Sequence, residues 1–559
     1  MKNKILKFVL LMLPFFIISC KKNYLQDGST TEGNITEDQV WGNDSYTRGF
    51  LNNAYFTVPS GFDLDGDGAM MASGTDEAVN SNANSSVNIF NNGTWSPLRT
   101  INNVYSNMYD GLRKVNLFLD NISTAVIIPV AELTTMTNAD TGLVAQVKRL
   151  KGEAFFLRAM FHFELVERYG AVTLATKVFD REENLNLPRN TYQECVDQIV
   201  KDCDSAIALL PTWTQTWNTT NRGRATKTAA MALKSRMLLY AASPLFNTAN
   251  DVTKWQLAAN AAKVLIDSNK HSLITPYINI FNYGAAQYNN EVIFATQATN
   301  RNDIETNNAP ISYDGAKGRT NPIQEFVDAF EMTNGKPITD VTSGYNPANP
   351  YNLRDPRLAL VVNYNGRIFK SRAVETFVGG ADGLNKNVNA TKTGYYMRKF
   401  LSEAVTWNQA SNTNARRPWV VFRYAETLLN YAEALSEAQG PVADVYKYVN
   451  LVRQRTGIAM PALPAALTKD QMRTRIQNER RVELCFEGHR FYDVRRWKLG
   501  DTFLNKPVTG MNITVNTNGT LNFTRFQVET RSFADKNYLF PFSQNDVNRQ
   551  PALIQNPGY

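Results

Sequence analysis

The densest chemistry in this 559-residue chain lies near its C-terminus, where Arg475, Glu479, Glu483 and Glu487 recur at steps of four. The apolar spacing around them predicts one helix over 469–488, which puts three carboxylates on a single stripe with neighbouring Cβ atoms about 5–6 Å apart. A retaining glycosidase needs two carboxyl groups about 5–5.5 Å apart, so spacing alone does not exclude catalysis. The charge environment opposes it. Arg475, Arg480, Arg481, Arg490, Arg495 and Arg496 crowd the same segment. Nearby cations lower carboxylate pKa values, whereas a general acid needs a raised one. The stripe, with Arg490, is therefore expected to be a structural ion-pair network joining helix to neighbouring lobe. His489 is expected to be a hydrogen-bonded structural histidine, since with only His162 and His271 besides it a four-coordinate zinc site is not supported.

Asp63, Asp65 and Asp67, followed by Gly68, resemble the start of a calcium loop. Position 12 is Gly74 instead of Glu, and flanking helices are not evident, so calcium is only a weak candidate and no other cofactor is expected. Aromatic residues in polar loops are the better ligand candidates, because a ring can stack on the C–H face of a sugar while Asn, Asp and Arg bond its hydroxyls. Trp95 follows Asn91, Asn92 and Gly93. Tyr313 shares a polar stretch with Arg301, Asn302 and Asp303, and Tyr283 and Tyr288 precede a short apolar run.

These residues must be carried by a large fold. Apolar periodicity predicts helices over about 37–56, 101–121, 144–168, 192–210, 225–242, 254–268, 421–438, 442–456 and 469–488. Thr36 with Gln39 forms a capping box, Thr191 caps another helix, and Pro211 stops it. Residues 57–100 are rich in Gly, Asn, Ser and Asp and read as loop. Residues 271–420 hold only short apolar runs, such as Val292–Phe294 and Leu358–Val362, and 505–559 read as loop and short extended pieces. The expected architecture is mainly α: a tetratricopeptide-like helical scaffold over 36–270 and 421–559, with an inserted loop-rich α+β lobe over 271–420. No strict 34-residue period is visible.

The N-terminus carries Lys2, Lys4 and Lys7, an apolar run from Phe8 to Ile18, then Ser19-Cys20. This is a lipoprotein-type signal over 1–19, with Cys20 the expected lipidation site and 20–35 a tether. The apolar run is shorter than the roughly 20 residues a membrane span needs. Loss of residues 1–19 removes three lysines and no acid, taking the formal charge from +8 to +5. No dense basic block suggests nucleic acid as a partner. Cys195 and Cys203, eight apart on a helix, are separated by roughly 12 Å, too far for a disulfide.

The stretch Asn478–Trp497, NERRVELCFEGHRFYDVRRW, resembles the signature of the SusD/RagB family. So do Tyr538–Phe542 with Gln555–Tyr559, Arg354–Leu358, Gly394–Phe400, Phe422–Ala434, Ala241–Asn247 and Asn290–Phe294. The resemblance runs nearly end to end. It implies a non-enzymatic, surface-facing lipoprotein of the outer membrane that binds a glycan or oligosaccharide and delivers it to a SusC-type TonB-dependent transporter. It also implies a tetratricopeptide-like scaffold, makes 271–420 the ligand-binding lobe, and expects ligand near 60–100 and 280–320. The same architecture binding peptides or other non-sugar nutrients is the alternative, and a surface glycoside hydrolase a remote one.

Overall fold

The computed structural model describes residues 35–179, 186–281, 288–313, 315–408 and 410–559; Cys20 and Tyr283 lie outside them. Among the described residues, no helix is long and apolar enough to cross a membrane.

The scaffold grows by stacking each helix on the next. Tyr105–Asn121 packs on Leu143–Tyr169, which packs on Tyr192–Leu209, then Lys227–Ala242, then Val252–Asp267. The last of these packs directly on Tyr424–Gln439, across the whole inserted lobe, and Ala443–Arg453 and Lys469–Glu483 follow. One apolar cluster joins Trp255, Ala259 and Ile266 to Leu428, Ala432, Val449 and Ile476, so the two parts of the scaffold share a core. Helix ends follow the local chemistry. Thr36, Thr191 and Thr468 each accept an amide three residues on, and the Gln39, Glu194 and Gln471 side chains return the bond.

Three expectations about elements need correction. The helix expected over 37–56 is two, Glu37–Trp41 and Asp44–Tyr55, because Asn43 caps a new start by accepting the Tyr46 amide at 3.2 Å. The helix expected over 469–488 ends at Glu483; Phe486 and Gly488 take positive φ values of 61° and 86°, turning the chain into a second helix, His489–Arg496. Residues 505–559 contain a long antiparallel hairpin, Pro507–Val515 with Leu521–Thr530, instead of short pieces alone.

The lobe is built of two-stranded ribbons. Val292–Ala295 pairs with Val420–Arg423 and leads straight into the helix Tyr424–Gln439. Thr299–Arg301 pairs with Ala415–Arg417, and Ile368–Phe369 with Arg372–Ala373. Leu358–Val361 forms the end of a short helix, with only Val362 extended. The segment 57–100 does not lie over the surface as a polar loop would. It threads inward, Ala78–Asn80 pairs with Thr320–Pro322, and Asp76 and Glu77 are fully buried.

Candidate functional site

The carboxylate stripe forms an ion-pair network, but its partners come from elsewhere in the chain. Glu483 accepts from Arg357 at 3.0 Å, Arg423 at 2.8 Å and Arg455 at 2.9 Å. Glu479 pairs with Arg357 and Arg453, while Glu487, in the turn after the helix, pairs with Arg423 and Lys399. Burial opposes ionisation of Glu483 and Glu487. The surrounding cations outweigh it, holding Glu487 at about 2 and Glu483 also well below the ordinary carboxylate range. A carboxyl so held is permanently charged, inaccessible and unable to donate a proton near neutral pH.

Arg490, expected in this network, instead clamps Asp76 at 2.7 Å together with Arg481 at 2.9 Å. The reason is the turn at Gly488, which carries Arg490 off the stripe and toward the threaded segment. Arg480 and Arg496 hold Asp493, and Arg496 also reaches Glu433. Arg475 pairs with Glu331. Among the described residues Arg495 has no carboxylate partner: it lies 3.4 Å over the Phe491 ring and donates to the Asn537 carbonyl, and burial lowers it to about 9. His489 is buried, and desolvation pulls its imidazole down to about 4, so it is neutral. No hydrogen bond ties its ring to a described residue, contrary to expectation.

The expected ligand residues separate into two groups. Trp95 is 1% exposed. Its ring meets Phe90 and Phe540 edge-on at 4.8 and 4.7 Å, so it fills core space and has no face for a ligand. This corrects its assignment from loop position. The other described ones, Tyr288, Arg301, Asn302, Asp303 and Tyr313, lie on the lobe. Arg301 stands over the Phe62 ring at 5.5 Å and donates to Asp303 at 2.6 Å. Asn302 donates to Asn412, which bridges back to Trp407. Tyr313 is half-buried, donates to the Phe369 carbonyl and carries Arg372 over its ring at 4.4 Å. Half-buried Tyr288 lies against Gly223, near Arg416.

The segment 61–68 joins this face by close approach. A Cβ on Gly61 would stand 2.3 Å from the Trp419 ring, so only glycine lets the chain lie there. Within the segment, Asp63 accepts the Gly66 amide at 2.8 Å, and Asp67 accepts the Ala69 amide at 2.9 Å and the Ser85 hydroxyl at 2.7 Å. Asp65 is exposed. Asp63 and Asp67 thus serve a hydrogen-bonded turn, and no group of three potential metal-binding side chains occurs among the described residues.

The same rule that selected Tyr313 would have found Trp407, which sits among Thr406, Asn408 and Asn412. The sequence reading passed over it, and over Lys370, whose ammonium lies 4.0 Å from the Trp407 ring centroid. The site is therefore a loop-built face of half-exposed aromatics fringed by Asn, Asp, Arg and Lys, on a rigid helical body.

Known proteins carry the same body. The family model described as "SusD family" matches residues 286–559, and one described as "Starch-binding associating with outer membrane" matches 65–239. A SusD-like protein of Formosa agariphila is 24% identical over 418 residues, covering 71% of this chain and 70% of its own. A solved SusD-like protein from Bacteroides fragilis is 28% identical, with a TM-score of 0.78 over 94% of this chain and 99% of that one. A structure described as a SusD-like carbohydrate binding protein, from the same species, is 23% identical, with a TM-score of 0.76 over 92% of this chain and all of that one. With two SusD models matching successive parts of the sequence and the fold shared nearly end to end, the chain belongs to the SusD/RagB family.

Proposed function

We propose that this protein binds a glycan or oligosaccharide at the lobe face and passes it to a SusC-type TonB-dependent transporter, while held at the outer membrane surface by a lipid on Cys20. The observation that carries the reading is the face itself. Trp407 and Tyr313 are partly exposed on loops, and Arg301, Asn302, Asp303 and Asn412 supply donors and acceptors beside them. Rings of this kind offer large contact area at low entropic cost, and polar neighbours fix orientation. The family description of starch binding and outer-membrane association supports the same reading.

Binding without hydrolysis is favoured because the helical carboxylates whose spacing suggested a glycosidase pair, Glu479 and Glu483, are buried against guanidinium groups. The test is calorimetric titration of the protein lacking residues 1–20 with an oligosaccharide panel, in parallel with Trp407→Ala. Saturable binding weakened by that substitution, with no reducing ends released, is the expected result. Release of reducing ends by the wild type would instead restore the hydrolase.

A further inference from the structure

Two cations on the lobe face are held in an unusual way. The ribbon Ile368–Phe369 and Arg372–Ala373 turns at Lys370-Ser371, and both turn residues have positive φ, 46° and 64°. Neither is glycine, and a side chain in this region costs free energy that the surroundings must offset. The turn aims two charges at two rings. Lys370 stands 4.0 Å from the Trp407 centroid and donates to the Val405 carbonyl, and Arg372 stands 4.4 Å from the Tyr313 centroid and donates to the Ser312 hydroxyl.

Neither cation, Lys370 half-buried and Arg372 exposed, makes an ion pair with any described residue. The described acids around the turn are engaged elsewhere: Glu403 pairs with Arg398 and accepts the Lys370 amide, Glu305 pairs with Arg417, and Asp382 accepts the Ser312 and Glu375 amides. A ring quadrupole orients a cation without neutralising it. What remains is two positive charges, two residues apart along the turn, each beside an aromatic surface and neither ion-paired among the described residues.

We propose that the ligand of this face is an anionic glycan, whose carboxylate or sulfate groups bind Lys370 and Arg372 while its sugar rings pack on Trp407 and Tyr313. The inference rests on the glycan-binding reading above and specifies its chemistry. Arg372 offers a planar fork suited to either group, and Lys370 a point charge.

The test is affinity electrophoresis of wild type, Lys370→Gln and Arg372→Gln through gels containing polygalacturonate, a sulfated galactan or neutral starch. Both substitutions lie at a surface turn, and circular dichroism checks that the fold is kept. Retardation by an acidic polymer, weakened by salt and reduced about tenfold or more by either substitution, is expected. The carboxylated and sulfated gels separate the two sources of charge. Retardation by starch alone, or retardation by an acidic polymer that both variants retain in full, overturns the anionic ligand and leaves glycan binding standing. No retardation in any gel removes both.

Discussion

Glu483→Gln tests the buried network where its geometry is most exposed to failure. Among the described residues the network links six acids, Glu291, Glu331, Asp355, Glu479, Glu483 and Glu487, with six cations, Arg357, Lys399, Arg423, Arg453, Arg455 and Arg475. Its formal charge is zero, and removing one carboxylate leaves a net positive charge in the interior. The loss is not shared equally. Arg357 keeps Asp355 and Glu479, and Arg423 keeps Glu291 and Glu487. Arg455 keeps Glu291 alone, and its Nε and Nη1 already lack partners. Stranding a buried charge typically costs about 3–5 kcal/mol. Chemical denaturation followed by circular dichroism reads this as a fall in midpoint at unchanged slope. Adding Arg455→Met restores neutrality, so the double mutant is expected to recover about 1 kcal/mol or more of the loss. A cost below about 1 kcal/mol for the single change, or no recovery in the double, would falsify the charge-balance argument. The pH dependence has a definite sign. Glu483 and Glu487 have folded pKa values depressed below their unfolded ones, so their contribution is present above about pH 4.5 and is lost as pH falls through the folded values, Glu487 at about 2.

Glu77→Gln should act in the opposite sense: burial, then Asp76, push Glu77 up to about 8, so stability falls as pH rises from its unfolded value toward 8. The variant can still accept the Phe486 amide and should melt higher than wild type at pH 8 but not at pH 4; equal melting at both would show that Glu77 is ionised in the fold. Trp95→Ala should cost about 3–5 kcal/mol of stability through the cavity it leaves. Selective loss of ligand affinity in a fully stable Trp95→Ala protein would return that residue to the binding face. Trp407→Ala and Tyr313→Ala should each weaken glycan binding by about 1–3 kcal/mol, by analogy with base–aromatic stacking, with the denaturation midpoint nearly unchanged. Cys20→Ala should release the protein from the membrane fraction, and retention there would refute lipid anchoring at that residue.

The sequence made the scaffold legible because its signals are local. Period-four apolar steps and the Thr191–Glu194 capping box act within one or two turns, and the observed helix Tyr192–Leu209 ends within one residue of expectation. The network was legible only in half. Three acids at helical spacing announced buried charge, but Arg357 lies 126 residues from Glu483, and Arg423 lies 60. Nothing local links them, and the arginines adjacent in sequence were the wrong partners. Trp95 was misplaced for a related reason. Gly93 and its polar neighbours correctly indicated irregular backbone, but irregular backbone can be buried when, as here, Asn91 satisfies the Ser73 carbonyl and its own carbonyl accepts the Ser532 amide. The hairpin at 507–530 left a readable trace, with Val508, Met511 and Ile513 buried on one strand and Gly519 in the turn. The glycine at 510 and the two-residue step from Val508 break simple alternation where the ladder shifts register.

Charge in this protein is divided by the kind of group that meets it. Inside, many guanidinium groups meet carboxylates drawn from distant parts of the chain, and those pairs tie the threaded segment, the lobe and the scaffold to one another. Arg490 on Asp76 joins residues 414 apart, and Arg357 on Glu479 joins residues 122 apart. Such pairs add little net stability over an apolar core, but they are costly to mispair and so fix relative position. On the lobe, Lys370 and Arg372 meet aromatic rings, which orient a cation and leave its charge available. The two arrangements make opposite demands on a ligand. A charged polymer has nothing to gain at the balanced interior and a specific place to bind at the turn. On that proposal, selectivity comes from the ribbon that sets both cations beside both rings, because anions on a polymer must meet Lys370 and Arg372 while its sugars meet Trp407 and Tyr313.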